Sequence, residues 1–220
     1  MIVSIARELG AGGRTVGEAL AAALGAPLLD ERSFIDELSQ RRGLAPEFVE
    51  QRIERAPNAA ERLMSDLAAA TAMLPIPLSL SQPEELIVET VREIVLERAQ
   101  RGHVVVIGHG GVSLLGWRPA GIPVLAILLR AGRAWRIDQL ARRYDIAPDE
   151  ARARVQRTDE ARVRYQRHYF DSDLYDSRQY DLTLNTESLG LHLALAIATG
   201  VAEEFARRET PAAVGLENNA

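Results

Sequence analysis

The sequence predicts an α/β fold in which a parallel sheet is covered by helices on both faces. Three observations carry that prediction. Short runs of β-branched and aliphatic residues recur between longer stretches of helical spacing, these runs are apolar on both faces apart from an alternating last one, and the first is followed closely by a cluster of glycines. Strands that are apolar on both faces suit sheets buried on both sides, as parallel sheets with helical crossovers are. In order, residues 2–5 form the first strand, ahead of Gly10, Gly12 and Gly13, and residues 15–24 form an alanine- and leucine-rich helix stopped by Gly25 and Pro27. Leu28 and Leu29 make a brief second strand that ends at Asp30. From 31 to about 73 the pattern is helical and charged, with breaks near 43–46 and at Pro57, and residues 74–83, with three prolines, form a connector. Residues 84–100 read as an amphipathic helix closed by Gly102, whose apolar face is core or, failing that, a homodimer contact. A third strand at 103–107 runs into Gly108, His109, Gly110 and Gly111, and a fourth spans 122–129. Two arginine-rich helices follow, at 133–144 and 148–168, then a last strand at 180–186 and a closing helix at 189–208.

Composition narrows the function. The chain has 220 residues, 47% hydrophobic and 26% charged, with a net charge of -5 and no cysteine. Disulfides, thiolate metal sites and cysteine nucleophiles are excluded. The acidic balance predicts no bulk attraction to nucleic acid or an anionic membrane. The apolar runs at 104–107 and 124–129 are too short to cross a bilayer, so a cytoplasmic location is expected. Every one of the 26 basic residues is arginine. They concentrate between Arg130 and Arg167, where 11 arginines face 6 acidic residues, which predicts a local grip on anions.

In parallel sheets ligands gather at the carboxyl ends of the strands, here residues 7–14, Asp30, 108–111, Arg130 and 185–186. At the first of these the order is strand, then Gly10-Ala11-Gly12-Gly13-Arg14-Thr15, then helix. Glycines let successive N–H groups turn inward as an anion-binding nest, and the helix N-terminus adds its positive dipole end. The usual phosphate loop reads GxxxxGK[ST]. Here Gly13 stands where lysine belongs, followed by Arg14 and Thr15. Arg14 is then the candidate cation for phosphates and Thr15 the candidate hydroxyl for Mg2+. A dinucleotide fingerprint is the rival, since Asp30 follows at about the right distance, but its third glycine position is Thr15.

The segment Ser4-Ile5-Ala6-Arg7-Glu8-Leu9-Gly10-Ala11-Gly12-Gly13-Arg14 resembles the opening of the cytidylate kinase-like proteins. The similarity continues through Leu28-Leu29-Asp30, Val105-Val106-Ile107-Gly108, Arg157-Thr158-Asp159-Glu160-Ala161-Arg162 and Tyr180-Asp181-Leu182-Thr183-Leu184-Asn185-Thr186. The resemblance implies a P-loop NTPase-type parallel sheet flanked by helices, with helical acceptor-binding and lid regions. The whole of 1–208 is then one P-loop kinase-like domain, with an acceptor-binding insertion at 31–82, an arginine-rich lid at 131–170 and a flexible tail at 209–220.

It also implies Mg2+-dependent phosphoryl transfer from ATP to a small acceptor, most readily a nucleoside monophosphate. Gly10, Ala11, Gly12, Gly13, Arg14 and Thr15 would cradle the donor phosphates. Thr15 and Asp30 are the metal candidates, with Asp30 equally suited to cap the following helix. Arg14, Asp30, Arg136, Arg157 and Arg162 are the catalytic candidates, because guanidinium forks match phosphate oxygens. Singly, each lid arginine is as well explained by surface pairing with Asp149, Glu150 or Glu160. The similar Asp-x-x-Arg pair of cytidylate kinases contacts the acceptor, so Asp159 and Arg162 join His109, which stands where relatives keep an arginine, as acceptor-binding candidates. The Tyr-Arg that follows the second strand in cytidylate kinases is absent here, where Asp30 leads into Glu31-Arg32-Ser33-Phe34. Partners are expected to be small nucleotides. The missing lysine supports an alternative, a regulatory nucleotide-binding protein that keeps the fold and has little turnover.

Overall fold

The computed structural model describes residues 1–53, 83–116, 119 and 121–209; the expected helix beyond 53, the connector at 74–82 and the tail from 210 lie outside them. The described strands are β1 (Ile2–Arg7), β2 (Leu28–Leu29), β3 (Val104–Ile107), β4 (Val124–Arg130) and β5 (Leu182–Asn185). The described helices are α1 (Gly13–Ala23), α2 (Glu31–Arg42), α3 (Pro46–Glu50), α4 (Pro83–Arg101), α5 (Gly111–Leu114), α6 (Arg133–Tyr144), α7 (Pro148–Phe170) and α8 (Thr186–Glu209). All strand pairings are parallel, and the order across the sheet is β2-β3-β1-β4-β5.

That order disposes of the dinucleotide reading. In a dinucleotide fold the second strand lies beside the first. Here β3 stands between β1 and β2, in register Ile2 to Val104 on one side and Leu28 to Val105 on the other.

Strand alternation divides the core into two layers. Val3 and Ile5 of β1 and Val105 and Ile107 of β3 face α1 and α8, where they meet Val16, Leu20 and the buried row Ala194, Ala198, Ala202 and Ala206. Ile2, Val104 and Val106 face the other way, against Phe34 and Leu38 of α2 and Ile87, Val91, Ile94 and Val95 of α4. The apolar face of α4 is therefore core and not a dimer contact. α8 alone among the described helices has the length and mean hydropathy, 1.3, that a membrane crossing requires. Its alanine row on the sheet and the non-helical Gly190 inside it (φ 71°, ψ 150°) instead fit a sheet-covering helix in two pieces.

α1 lies so close to the sheet that Gly17 has no room for a side chain. A Cβ there would sit 2.5 Å from Cδ1 of Ile107 and 3.0 Å from its Cγ1, and Ile107 is itself buried. Alanine in a helix interior is worth about 1 kcal/mol over glycine, whereas overpacking a core costs about 1–3 kcal/mol. Gly17→Ala is therefore expected to destabilise the protein in urea denaturation; a stabilised variant would mean that the spacing between α1 and β3 relaxes freely.

Candidate active site

The carboxyl ends of β1, β2 and β3 open into a cleft of about 620 Å3. Its floor is the glycine loop. Gly10 and Gly12 take φ values of 86° and 84°, which only glycine adopts without strain. Gly10 is also sterically obliged to be glycine, since a Cβ there would lie 2.8 Å from the carbonyl oxygen of Arg136, whereas one on Gly12 would lie 2.6 Å from the movable end of the Leu191 side chain. α1 begins at Gly13, so the N–H groups of its first turn have no partner within the helix, and residues of that turn line the cleft. Ala11 differs from the expectation for it. Its side chain is fully buried in the core and its N–H donates to the Glu8 carbonyl at 3.2 Å, so it shapes the loop from behind.

Arg14 and Thr15 both line the cleft. The Arg14 guanidinium is largely exposed, with Nε donating to Glu18 at 2.8 Å and Nη1 3.7 Å from Oδ2 of Asp30. Glu18 first, then Asp30, holds it above the usual arginine range. Asp30 caps α2: its Oδ1 accepts from the Ser33 N–H at 3.1 Å and the Ser33 hydroxyl at 2.9 Å. Burial is the largest single influence on this carboxyl and opposes ionisation. The two Ser33 bonds, Arg14 and His109 outweigh it and leave the group below the usual carboxylate range. The cap uses Oδ1 and leaves Oδ2 toward Arg14, so capping does not occupy the whole carboxylate.

Other expectations for the lid are corrected by the geometry. Arg136 is 4% exposed and does not reach the cleft. Its Nη1 donates to Oδ2 of Asp159 at 2.6 Å and to the Leu9 carbonyl at 3.0 Å, and its Nε donates to the Ala131 carbonyl at 2.9 Å. Glu8 lies 3.5 Å from that Nε and accepts from the Ala131 N–H at 2.9 Å. Asp159 is no freer for an acceptor, since its other oxygen takes the Leu9 N–H at 3.0 Å. Arg136 and Asp159 thus grip both backbone polar groups of Leu9, one residue before the glycines. Tyr175, 41% exposed, borders the cluster, and its hydroxyl is pushed up to about 12 by partial desolvation and by Glu8 and Asp159.

Arg157 is exposed on α7 and outside the cleft lining. Arg162, one turn beyond Asp159, lines the cleft and donates from Nη1 to the Arg7 carbonyl at 3.2 Å. His109 is fully buried, edge-on to Phe34 at 4.4 Å, and borders a cavity of about 20 Å3 rather than the cleft. It is the second of four consecutive residues with positive φ (85°, 56°, 86° and 55°), a costly conformation for a side chain-bearing residue. Elsewhere the arginines of α6 and α7 make the surface pairs that helical spacing allows, Arg142 with Asp138 at 2.9 Å and Arg152 with Asp149 at 3.4 Å.

The cleft is not uniformly cationic. Arg7, Arg14, Arg143 and Arg162 stand around the glycine loop, while Asp30, Glu31, Asp36 and Glu50 line the side formed by α2 and α3, with Arg32 among them. Of these, Arg32, Arg143 and the neighbouring Trp135, Gln139 and Tyr144 were not expected from the sequence, and Arg7 fell within the expected strand end at 7–14 without being singled out. For Arg7 a signal existed, because it continues the row Val3, Ile5 on the face that meets α1. For a resident cation, no cluster of three carboxylate or imidazole ligands exists among the described residues. Mg2+ in phosphate sites needs only one or two protein oxygens beside the phosphates, and Thr15 with Oδ2 of Asp30 fits that modest requirement.

A family model described as the cytidylate kinase-like family matches residues 2–188. No curated protein matches the chain. Among solved structures, the chain is similar to an uncharacterized protein from Eubacterium ventriosum ATCC 27560, with a TM-score of 0.60 and 16% identity over 94% of this chain and 98% of that one. It is also similar to TT1252 from Thermus thermophilus, with a TM-score of 0.50 and 19% identity over 92% of this chain and 97% of that one. At such identities the likeness is one of fold.

Proposed function

The chain belongs to the cytidylate kinase-like family, and on that premise we propose that it is a soluble, cytoplasmic phosphotransferase moving the γ-phosphoryl group of ATP to a small acceptor, most readily a nucleoside monophosphate. The observation that carries this reading is the glycine loop: Gly10, Gly12 and Gly13, between the end of β1 and the first turn of α1, line the same cleft as Asp30 and Arg162.

Phosphoryl transfer asks a protein mainly for positioning and charge neutralisation. An acceptor oxygen forms a bond to the γ-phosphorus as the bond to the bridging oxygen breaks, and that oxygen leaves with its electron pair on ADP. The N–H groups of the loop and the positive end of α1 hold the donor phosphates. Arg14, at the mouth, and Arg162, from α7, offer guanidinium groups to the transferring oxygens. Thr15 and Asp30 would hold Mg2+, which when bound neutralises phosphate charge. The carboxylates of α2 and α3 leave Arg32 as the described cation on the acceptor side.

The direct test is transfer from ATP, with and without Mg2+, across nucleoside monophosphates and nucleosides. Mg2+-dependent ADP formation that needs one acceptor supports the kinase; ATP binding with no turnover on any acceptor favours the regulatory alternative. Arg14→Ala refines it. Because Arg14 is exposed and already paired, its removal is expected to lower kcat about tenfold and ATP affinity only two- to threefold. Unchanged values for both would remove Arg14 from the site.

A further inference from the structure

Gly13 stands where phosphate loops carry lysine, and the chain has no lysine at all. The space beside Gly13 is filled by another cationic side chain. A Cβ on Gly13 would lie 2.8 Å from Cγ of Arg7, 3.2 Å from its Cβ and 3.5 Å from its Cδ, so the aliphatic stem of Arg7 runs through the position where a side chain at 13 would begin. The alternation of β1 explains why. Val3 and Ile5 face α1, and Arg7, two residues further, continues that row beneath the first turn of the helix. Arg7 lines the cleft together with Gly12, Gly13 and Thr15, and it also borders the small cavity beside His109.

We propose that Arg7 is the cation of the glycine loop, reaching the donor phosphates from the last residue of β1 in place of a lysine on the first residue of α1. The two positions are then an exchanged pair: Arg7 needs Gly13 for space, and Gly13 needs Arg7 for charge. A guanidinium fork binds two phosphate oxygens at once, which a lysine does not. The inference rests on the phosphoryl-transfer reading of the cleft, and it separates Arg7 from Arg14, which sits at the mouth on Glu18 and Asp30.

Arg7→Gln tests it, since glutamine keeps the three stem carbons that lie against Gly13 and removes the charged guanidinium beyond them. Binding of inorganic tripolyphosphate with Mg2+ is followed by calorimetry, and ATP turnover is measured alongside. The expected result is at least a tenfold loss of tripolyphosphate affinity and a fall in kcat on the order of 10²-fold, as for loss of one preorganised charge-stabilising donor. The reciprocal test is the pair Arg7→Ala and Arg7→Ala/Gly13→Lys. Alanine clears the stem, and the double variant is expected to recover at least tenfold in affinity over Arg7→Ala, while Gly13→Lys alone collides with Arg7 and loses binding. Wild-type affinity in a folded Arg7→Gln variant, or a folded double variant no better than Arg7→Ala, overturns the assignment and leaves the kinase reading standing. A wild-type protein that binds no tripolyphosphate overturns both.

Discussion

Replacing Arg136 with alanine is expected to destabilise the protein by about 3–5 kcal/mol, the range for removing one partner of a buried ion pair. Arg136 has 5% side-chain exposure, and its partners Asp159 and Glu8 have 16% and 11%. Truncation leaves two poorly solvated carboxylates without their cation, together with the Leu9 and Ala131 carbonyls that the guanidinium also satisfies. For a domain of this size the loss corresponds to roughly 10 °C in Tm. Arg136→Met separates charge from volume: it refills the space, and if the uncompensated carboxylates dominate it recovers little of the loss. The control lies on the same helix. Arg142 makes a pair of similar length with Asp138, but that arginine is 75% exposed, and surface pairs are worth at most about 1 kcal/mol. A loss below about 1 kcal/mol for Arg136→Ala in urea denaturation would show that the cluster around Leu9 is not held by this residue.

Arg136 also marks where the sequence ceased to be informative. Its spacing on an arginine-rich helix is indistinguishable from that of its exposed neighbours, so position along the chain suggested phosphate binding. What distinguishes it is that α6 passes directly over Gly10, which places the guanidinium on the backbone of the loop. That is a relation between residues about 127 apart, and no local pattern encodes it. Elements whose signal is local were legible. The arginine-rich helix at 133–144 ends where its charge pattern ends, the second strand is the pair Leu28-Leu29, and the glycines of the loop are glycines for reasons of φ and space that the motif already implies. The short α5 was missed because three consecutive positive φ angles before it, and a fourth at its first residue Gly111, turn the chain through glycines and one histidine, a sequence that otherwise reads as loop. His109 was misplaced for the same reason: its ring follows that turn inward to Phe34.

Asp30→Asn is expected to leave stability nearly unchanged and to lower phosphoryl transfer on the order of 10²-fold. Asparagine and aspartate are equivalent helix caps, and the amide oxygen can keep the bonds from Ser33 that Oδ1 accepts now. What is lost is Oδ2, the oxygen that faces Arg14 at 3.7 Å and the one free of the cap. Since that ion pair involves an exposed arginine and a helix-dipole charge is worth about 0.3–1 kcal/mol, the stability change stays within about 1 kcal/mol. Asp30→Ala should cost about 1 kcal/mol more, because it also removes the cap. The pH dependence has a definite sign. The carboxyl of Asp30 lies below its ordinary value in the folded protein, so its contribution is present above the unfolded aspartate value of about 3.9 and disappears as pH falls through the folded one. Asp30→Asn should therefore flatten the acid limb of the stability profile by lowering the neutral plateau slightly, within that limit of about 1 kcal/mol, while the two proteins converge at low pH. If the variant transfers phosphoryl groups within threefold of the wild type, Asp30 serves α2 alone, and the ordering of Mg2+ has to be sought among the other carboxylates of the cleft.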